Sequence, residues 1–395
     1  MKVLLNCGPW LRLPAPGYGG RENVEYDEAD GAAEEGLDIE FSLFTVGETA
    51  RHPDIRRLNV IKEVKFHFPE GLYYDPGFMN GDTRGWIDEA HALAVWQWLE
   101  SQAAKGQKID LIHDHTDFGF STIVAVTQNR PPVLMTLHGS LNAPFVAGYL
   151  DLLKNVKGLY FNSISDNQRK DKPDLPFIAT VYNGVNIRNF PYQEAKDDYL
   201  FIIGRITRDK GQDRAVKVAR RLKTSLIIVG EYEKTREGQE YWEQLKSEID
   251  VFVHEDKEPL LSARQVLRDG KPQIIYYGPA GFEDKVVLYK GASCLLMPIS
   301  WEEPFGLVMA EAGACGTPVV AFRRGAAPEI IEDGKTGFLV KNTREMIEAA
   351  GRIHQISPRA CRERVETHFS ARVMARNYYR VYEEILAREQ ARKTD

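Results

Sequence analysis

The sequence predicts an α/β protein of two doubly wound units, and three observations predict it. A chain of 395 residues exceeds the size at which one hydrophobic core usually keeps growing. Short apolar runs alternate with polar tips and helical stretches, the rhythm of a parallel sheet covered on both faces. That rhythm stops across 189–198 and then begins again, which sets a boundary near residues 186–198.

In the first half, residues 3–6 read as a buried strand running into the loop 8–20, and 39–44 as the next strand. Residues 86–104 carry a helical pattern through Ile87, Ala90, Leu93, Ala94 and Leu99. Strands at 109–112, 133–136, 159–162 and 177–181 lead through HDHTDFG, LHGS, FNSISD and YNGV. Asn183 and Gly184 make the turn towards the second half, and Asp166 reads as a helix cap. The second half repeats the pattern, with strands at 199–203, 226–229, 273–277, 294–297 and 319–321 and helices at 211–222, 240–249 and 306–314. The charged stretch 254–271 reads as an insertion or mobile loop and not as core. A last helix, 371–386, bears Met374, Tyr378, Val381, Tyr382 and Ile385 as an apolar stripe that needs a partner surface.

A net charge of −6 argues against a nucleic-acid-binding protein but leaves room for a compact phosphate. Cys7, Cys294, Cys315 and Cys361 form no CxxC, so neither a disulfide framework nor a zinc site is expected. The amino terminus lacks a secretory apolar core, and no apolar run approaches about 18 residues. The chain therefore reads as cytoplasmic, with room for peripheral contact at the inner face of a membrane. Residues 21–35 are acidic and read as a solvated helix face.

The glycines Gly17, Gly19 and Gly20 invite a dinucleotide reading. That fingerprint wants a further glycine where Glu22 stands, so a ligand-covering or surface loop fits better. The stronger signals lie in the second half. In FIIGRITRDKG, Gly204 turns the chain off a strand, and Arg205 and Lys210 put two cations at the carboxyl edge of a parallel sheet, where ligands bind. Two cations can neutralise a diphosphate and stabilise charge that grows as it departs. In SWEEPFGLVMAE a helix begins near Gly306, so the amides of Phe305, Gly306 and Leu307 can face an anion. Glu303 precedes that helix. Glu311 interrupts its small apolar run, and a buried carboxylate needs partners such as vicinal hydroxyls. Glu302 reads as solvent-facing or paired, and DGKTGFLV at 333–340 mainly as turn architecture.

Glu303 and Glu311 are separated by seven residues, and EPFGLVMAEAGACGTPVVA, GRITRDKG and GAAPEIIEDGKTGFLV resemble the retaining glycosyltransferase family 4. The resemblance implies a GT-B fold: an acceptor-side domain at 1–187, a donor domain at 188–370 and a helix, 371–395, returning to the first domain. It implies a metal-independent hexosyltransferase without a cofactor, whose substrate is a UDP-, GDP- or ADP-hexose and whose acceptor is a carbohydrate or other hydroxyl. By the same resemblance Arg205 and Lys210 hold the diphosphate, Glu311 the ribose and Glu303 the transferred sugar. The amides of Phe305, Gly306 and Leu307 cover sugar or phosphate, and His138 stands near the reacting centre. Gly17, Gly19 and Gly20 match the family's amino-terminal glycine loop. A sugar-phosphate synthase, phosphorylase or epimerase on the same fold is the nearest rival, followed by a non-catalytic sugar-nucleotide-binding subunit.

The cluster His113, Asp114, His115 and Asp117 invites a metal reading, but adjacent positions point in different directions and no further matching ligand cluster appears. His115 and Asp117 are instead read as acceptor-side residues. The sequence leaves the oligomeric state open.

Overall fold

A computed structural model describes residues 1–15, 19–46, 58–61, 81–116, 119–253, 259–267 and 271–394. The chain divides into two compact units, Met1–Gly184 with Ala371–Asp395, and Val185–Ser370. Among the described residues no helix is long and apolar enough to cross a membrane.

The first unit holds strands β1 (Lys2–Asn6), β2 (Glu40–Phe44), β3 (Leu58–Ile61), β4 (Leu111–Asp114), β5 (Val133–Leu137), β6 (Leu159–Ser163) and β7 (Phe177–Thr180). They form one parallel sheet in the order β3-β2-β1-β4-β5-β6-β7. Helices α1 (Gly20–Glu34), α2 (Gly81–Ala104), α3 (Gly119–Val126), α4 (Pro144–Leu153) and α5 (Asp166–Arg169) connect them. The second unit holds β8 (Tyr199–Ile203), β9 (Ser225–Val229), β10 (Val251–Phe252), β11 (Ile274–Gly278), β12 (Cys294–Met297), β13 (Val319–Phe322) and β14 (Gly337–Val340). Their order is β10-β11-β9-β8-β12-β13-β14, again parallel. Its helices are α6 (Gln212–Leu222), α7 (Arg236–Lys246), α8 (Phe282–Gly291), α9 (Leu307–Ala314), α10 (Ala327–Ile330), α11 (Thr343–Gly351) and α12 (Pro358–His368). The last helix, α13 (Ala371–Thr394), belongs to the first unit.

Both sheets are buried on both faces, as strands covered by helices must be. Leu4, Ile112, Met135 and Phe161 lie in one core, and Leu200, Ile202, Leu226, Ile228 and Leu296 in the other. In each sheet the order of succession reverses beside the first strand, between β1 and β4 and between β8 and β12. Loops leaving those strand pairs diverge and open a crevice, the usual ligand position in this architecture.

Several expectations need correction. The strand expected at 109–112 is shifted to Leu111–Asp114, so His113 and Asp114 are ladder residues and not loop residues. The helix expected at 240–249 is Arg236–Lys246, capped by the Thr235 side chain accepting from the Gly238 amide. Asp166 opens α5 while Ser165 caps it. Residues 337–340 form β14 against β13, because GFLV supplies an apolar run after the turn.

The largest correction concerns α1. Its acidic residues are not a solvated face: Glu22, Glu25, Glu28 and Asp30 are buried. The helix carries no apolar stripe, and it packs on α13 through small residues. A Cβ on Gly31 would fall 2.3 Å from the Ala371 carbonyl oxygen, so only glycine lets the two backbones approach so closely. Glu35 at the end of α1 meets Arg372 and Arg376 of α13 at 2.5 and 2.7 Å. Gly31→Val should therefore destabilise the first unit by on the order of 1–3 kcal/mol, read as a lower thermal or urea midpoint. An unchanged midpoint would mean that α13 does not seat on α1 in this way.

Candidate functional site

In the second unit the crevice between β8 and β12 is assembled by two loops that need each other. Gly211 has φ +76°, and a Cβ there would come within 2.5 Å of the Pro298 carbonyl oxygen. Glycine thus lets the loop after β8 lie against the exit of β12, and the Ser300 amide donates to the Asp209 carbonyl at 2.8 Å. This contact brings Lys210 Nζ to 2.7 Å from Glu303 Oε2 and 4.8 Å above the Trp301 ring. Arg205 leaves the tip of β8 half-exposed and pairs with Glu233 at 2.5 Å.

Glu303 is held from behind by its own backbone. Its carbonyl accepts from the Ala326 amide at 2.9 Å, and a Cβ on Gly325 would collide with its backbone at 2.3 Å. Glu302 is paired, as expected: it accepts from the Gly325 amide at 2.7 Å and meets Arg324 at 3.4 Å. Gly306, at φ +84°, is the N-cap of α9, and the first-turn amides of a helix have no preceding carbonyl to bond. The Phe305 side chain is core, edge-on to Phe369, so it does not itself face a ligand.

Glu311 lies one turn inside α9, buried to 8% exposure, and its two oxygens already have protein partners. Lys285 Nζ lies 2.8 Å from Oε1, and the Tyr289 hydroxyl donates to Oε2 at 2.8 Å. Burial and the Glu311 charge push the Tyr289 pKa well up, which keeps the phenol a donor. A carboxylate has about four lone-pair sites, so each oxygen retains room for one more donor. Lys285 and Tyr289 sit four residues apart on α8, a helix that the sequence reading left unassigned. The i, i+4 spacing of the lysine and tyrosine in FEDKVVLYKG was the available signal.

In the first unit His138 follows β5, half-buried, with its Nε2 2.9 Å from His115 Nδ1 and the two rings stacked at 5.2 Å. Desolvation and the neighbouring His115 ring hold the His138 pKa well below the usual histidine range. His115 is entirely buried, and burial pushes its pKa down to about 4. Its side chain therefore supports His138 from beneath. Gly20 opens α1 and Gly19 caps it, where a Cβ would come within 2.3 Å of the Ala15 side chain. Gly17 and Asp117 lie outside the described residues.

The fold is GT-B, and residues 186–359 match a family model described as glycosyl transferases group 1. An uncharacterised glycosyltransferase of Methanocaldococcus jannaschii is 25% identical over 60% of this chain. The aligned stretch spans 62% of that relative. Among solved structures, the sucrose-phosphate synthase of Thermosynechococcus elongatus superposes with a TM-score of 0.70 at 18% identity, covering 98% of this chain and 99% of its own. An Anabaena protein, HepE, solved in complex with UDP-glucose, superposes with a TM-score of 0.63 at 17% identity, covering 97% of this chain and 100% of its own. These likenesses show the GT-B fold, and the match to the family model lies within the second unit.

Beneath the first unit's crevice, Asn6 of β1 bridges Asp114 at 2.8 Å and His91 Nε2 at 2.7 Å. Burial, then the Arg21 charge, lowers the His91 pKa from 6.5 to about 3. The folded pKa lies below the unfolded one, so this stability is present above pH 6.5 and is lost as pH falls towards 3. Between pH 6.5 and about 5 the loss is about 2 kcal/mol. His91→Gln, which can still donate to Asn6, should flatten the difference between urea midpoints at neutral and mildly acidic pH. An equally steep pH dependence in that variant would remove His91 as its source.

Proposed function

We propose that this chain is a retaining glycosyltransferase of family 4 that moves a hexose from a nucleoside-diphosphate sugar to a hydroxyl acceptor without a metal. The supporting observation is the constellation in the second unit. Lys210 and Glu303 pair at the reversal of strand order, Arg205 stands at the tip of β8, the amino terminus of α9 follows Glu303, and Glu311 sits one turn further in.

In this reading the donor diphosphate takes up Arg205 and Lys210 together with the amides of Phe305, Gly306 and Leu307. These donors oppose the negative charge that grows on the leaving phosphate. When the anion arrives, Glu303 shares Lys210 with it and turns its free oxygen to hydroxyls of the transferred sugar. Glu311 accepts from the ribose hydroxyls while Lys285 and Tyr289 hold its orientation. The glycosidic carbon–phosphate-oxygen bond breaks as the acceptor oxygen bonds to the same face of that carbon. The acceptor proton passes to the departing phosphate oxygen, so configuration is retained without a covalent enzyme intermediate. His138, kept neutral, can hydrogen-bond to the sugar at the reacting centre, and His115 orients it from below.

A thermal-shift screen of UDP-, GDP- and ADP-hexoses, followed by product analysis with and without sugar acceptors, tests this reading. One nucleotide class should raise the melting temperature, and transfer should depend on an acceptor. Arg205→Ala and Lys210→Ala should each lower kcat by about 100-fold or more. Glu311→Gln, which keeps the fold, should weaken nucleotide binding about tenfold with a smaller effect on kcat. Parent-like transfer and donor affinity in all three variants would refute the site assignment.

A further inference from the structure

The first unit contains a second constellation, separate from the donor residues. Glu28 of α1 and His113 and His115 of β4 and its exit place three potential metal ligands within 4.8 Å of one another. All three side chains are entirely buried. Adjacent positions on a strand do point apart, but His113 and His115 are alternate positions, so their rings share a face. Their ring centroids are 3.9 Å apart.

The hydrogen bonds decide which ring nitrogens point inward. His113 Nε2 lies 2.7 Å from Thr136 Oγ1, and His115 Nδ1 lies 2.9 Å from His138 Nε2. His113 Nδ1 and His115 Nε2 lie 3.2 and 3.4 Å from Glu28 Oε2. Glu28 Oε2 and His115 Nε2 have no hydrogen-bond partner, although both are buried. Two buried polar atoms that face each other without a hydrogen-bond partner are satisfied together by a cation placed between them. The Tyr382 hydroxyl, 2.6 Å from His113 Nδ1 and hydrogen-bonded to Glu28 Oε1, borders the same point.

We propose that Glu28, His113 and His115 form a structural site for a divalent transition-metal ion, with zinc the best match. Ligands about 2.0–2.1 Å from a tetrahedral zinc stand about 3.3 Å apart, close to the spacings between Glu28 and the two histidines. Two imidazoles and one carboxylate are a borderline donor set suited to zinc. Each ligating histidine is oriented through its other nitrogen, the usual support around such ions. The ion joins α1 to β4 and offsets the charge of the acidic helix. No sugar chemistry passes through it.

Because the site is enclosed, the full chain is unfolded and refolded with one equivalent of zinc or with a chelator. Metal content is then read by elemental analysis and stability by melting temperature. The parent should hold about one zinc per chain and melt several degrees higher than its chelator-refolded form. Glu28→Gln and His115→Gln should lower zinc affinity at least about tenfold. A parent that binds no zinc and melts identically in chelator would overturn the proposal, showing that a proton or the Tyr382 bond alone reconciles the three groups. Variants that retain the parent's zinc affinity would also overturn it. If a variant fails to fold, the two parent refolding reactions decide the matter by themselves.

Discussion

The close approach of two backbones, at Gly211 and Pro298, governs the second unit's chemistry. A parallel sheet delivers the ends of β8 and β12 side by side, and one contact between the loops that leave them sets how close their side chains come. Gly211 and the Ser300–Asp209 hydrogen bond provide it, and Lys210 and Glu303, 93 positions apart, become neighbours. The resulting ion pair is largely buried, so the desolvation of both groups offsets their attraction and it contributes little stability in its own right. Its value lies in preorganisation. The cation is already fixed, and an arriving anion meets it without first ordering a long flexible side chain.

Much of this was legible in the sequence. Buried parallel strands appear as short apolar runs, and β8, β12 and β13 are read within a residue or two of their observed ends. The placing of Arg205 and Lys210 at one strand exit and Glu303 at another was also legible, whereas the pairs Arg205–Glu233 and Lys210–Glu303 were not. What escaped has a common cause: local pattern does not report tertiary context. The α1 helix has acids where a stripe should be, and small residues that reveal nothing about the helix they meet. The α8 helix alternates apolar and charged residues without a clear face, so the partners of Glu311 went unassigned. GFLV of β14 was hidden because DGKTG before it reads as a turn.

The two units differ in what their interiors tolerate. The second buries mainly aliphatic and aromatic groups around its sheet, with polar side chains gathered at the strand exits. The first buries Glu25, Glu28, Asp30, Asp114 and the three histidines His91, His113 and His115. Burial pushes the Asp114 pKa up to about 7, and hydrogen bonds from Thr116 and Asn6 only partly offset it. Such an interior costs stability compared with a hydrocarbon filling of the same volume, and it admits few alternative packings.

The connectivity of α13 has a consequence for biosynthesis. The first unit is discontinuous, because its last helix lies beyond the whole of the second. On a translating ribosome the amino-terminal sheet emerges early, yet Ala371, Tyr378 and Tyr382, which cover its acidic helix, arrive only after residues 185–370 have been made. The unit encoded second can therefore finish folding first. Until the carboxy-terminal segment leaves the exit tunnel, the earlier half waits as an incompletely covered nascent chain, open to chaperones.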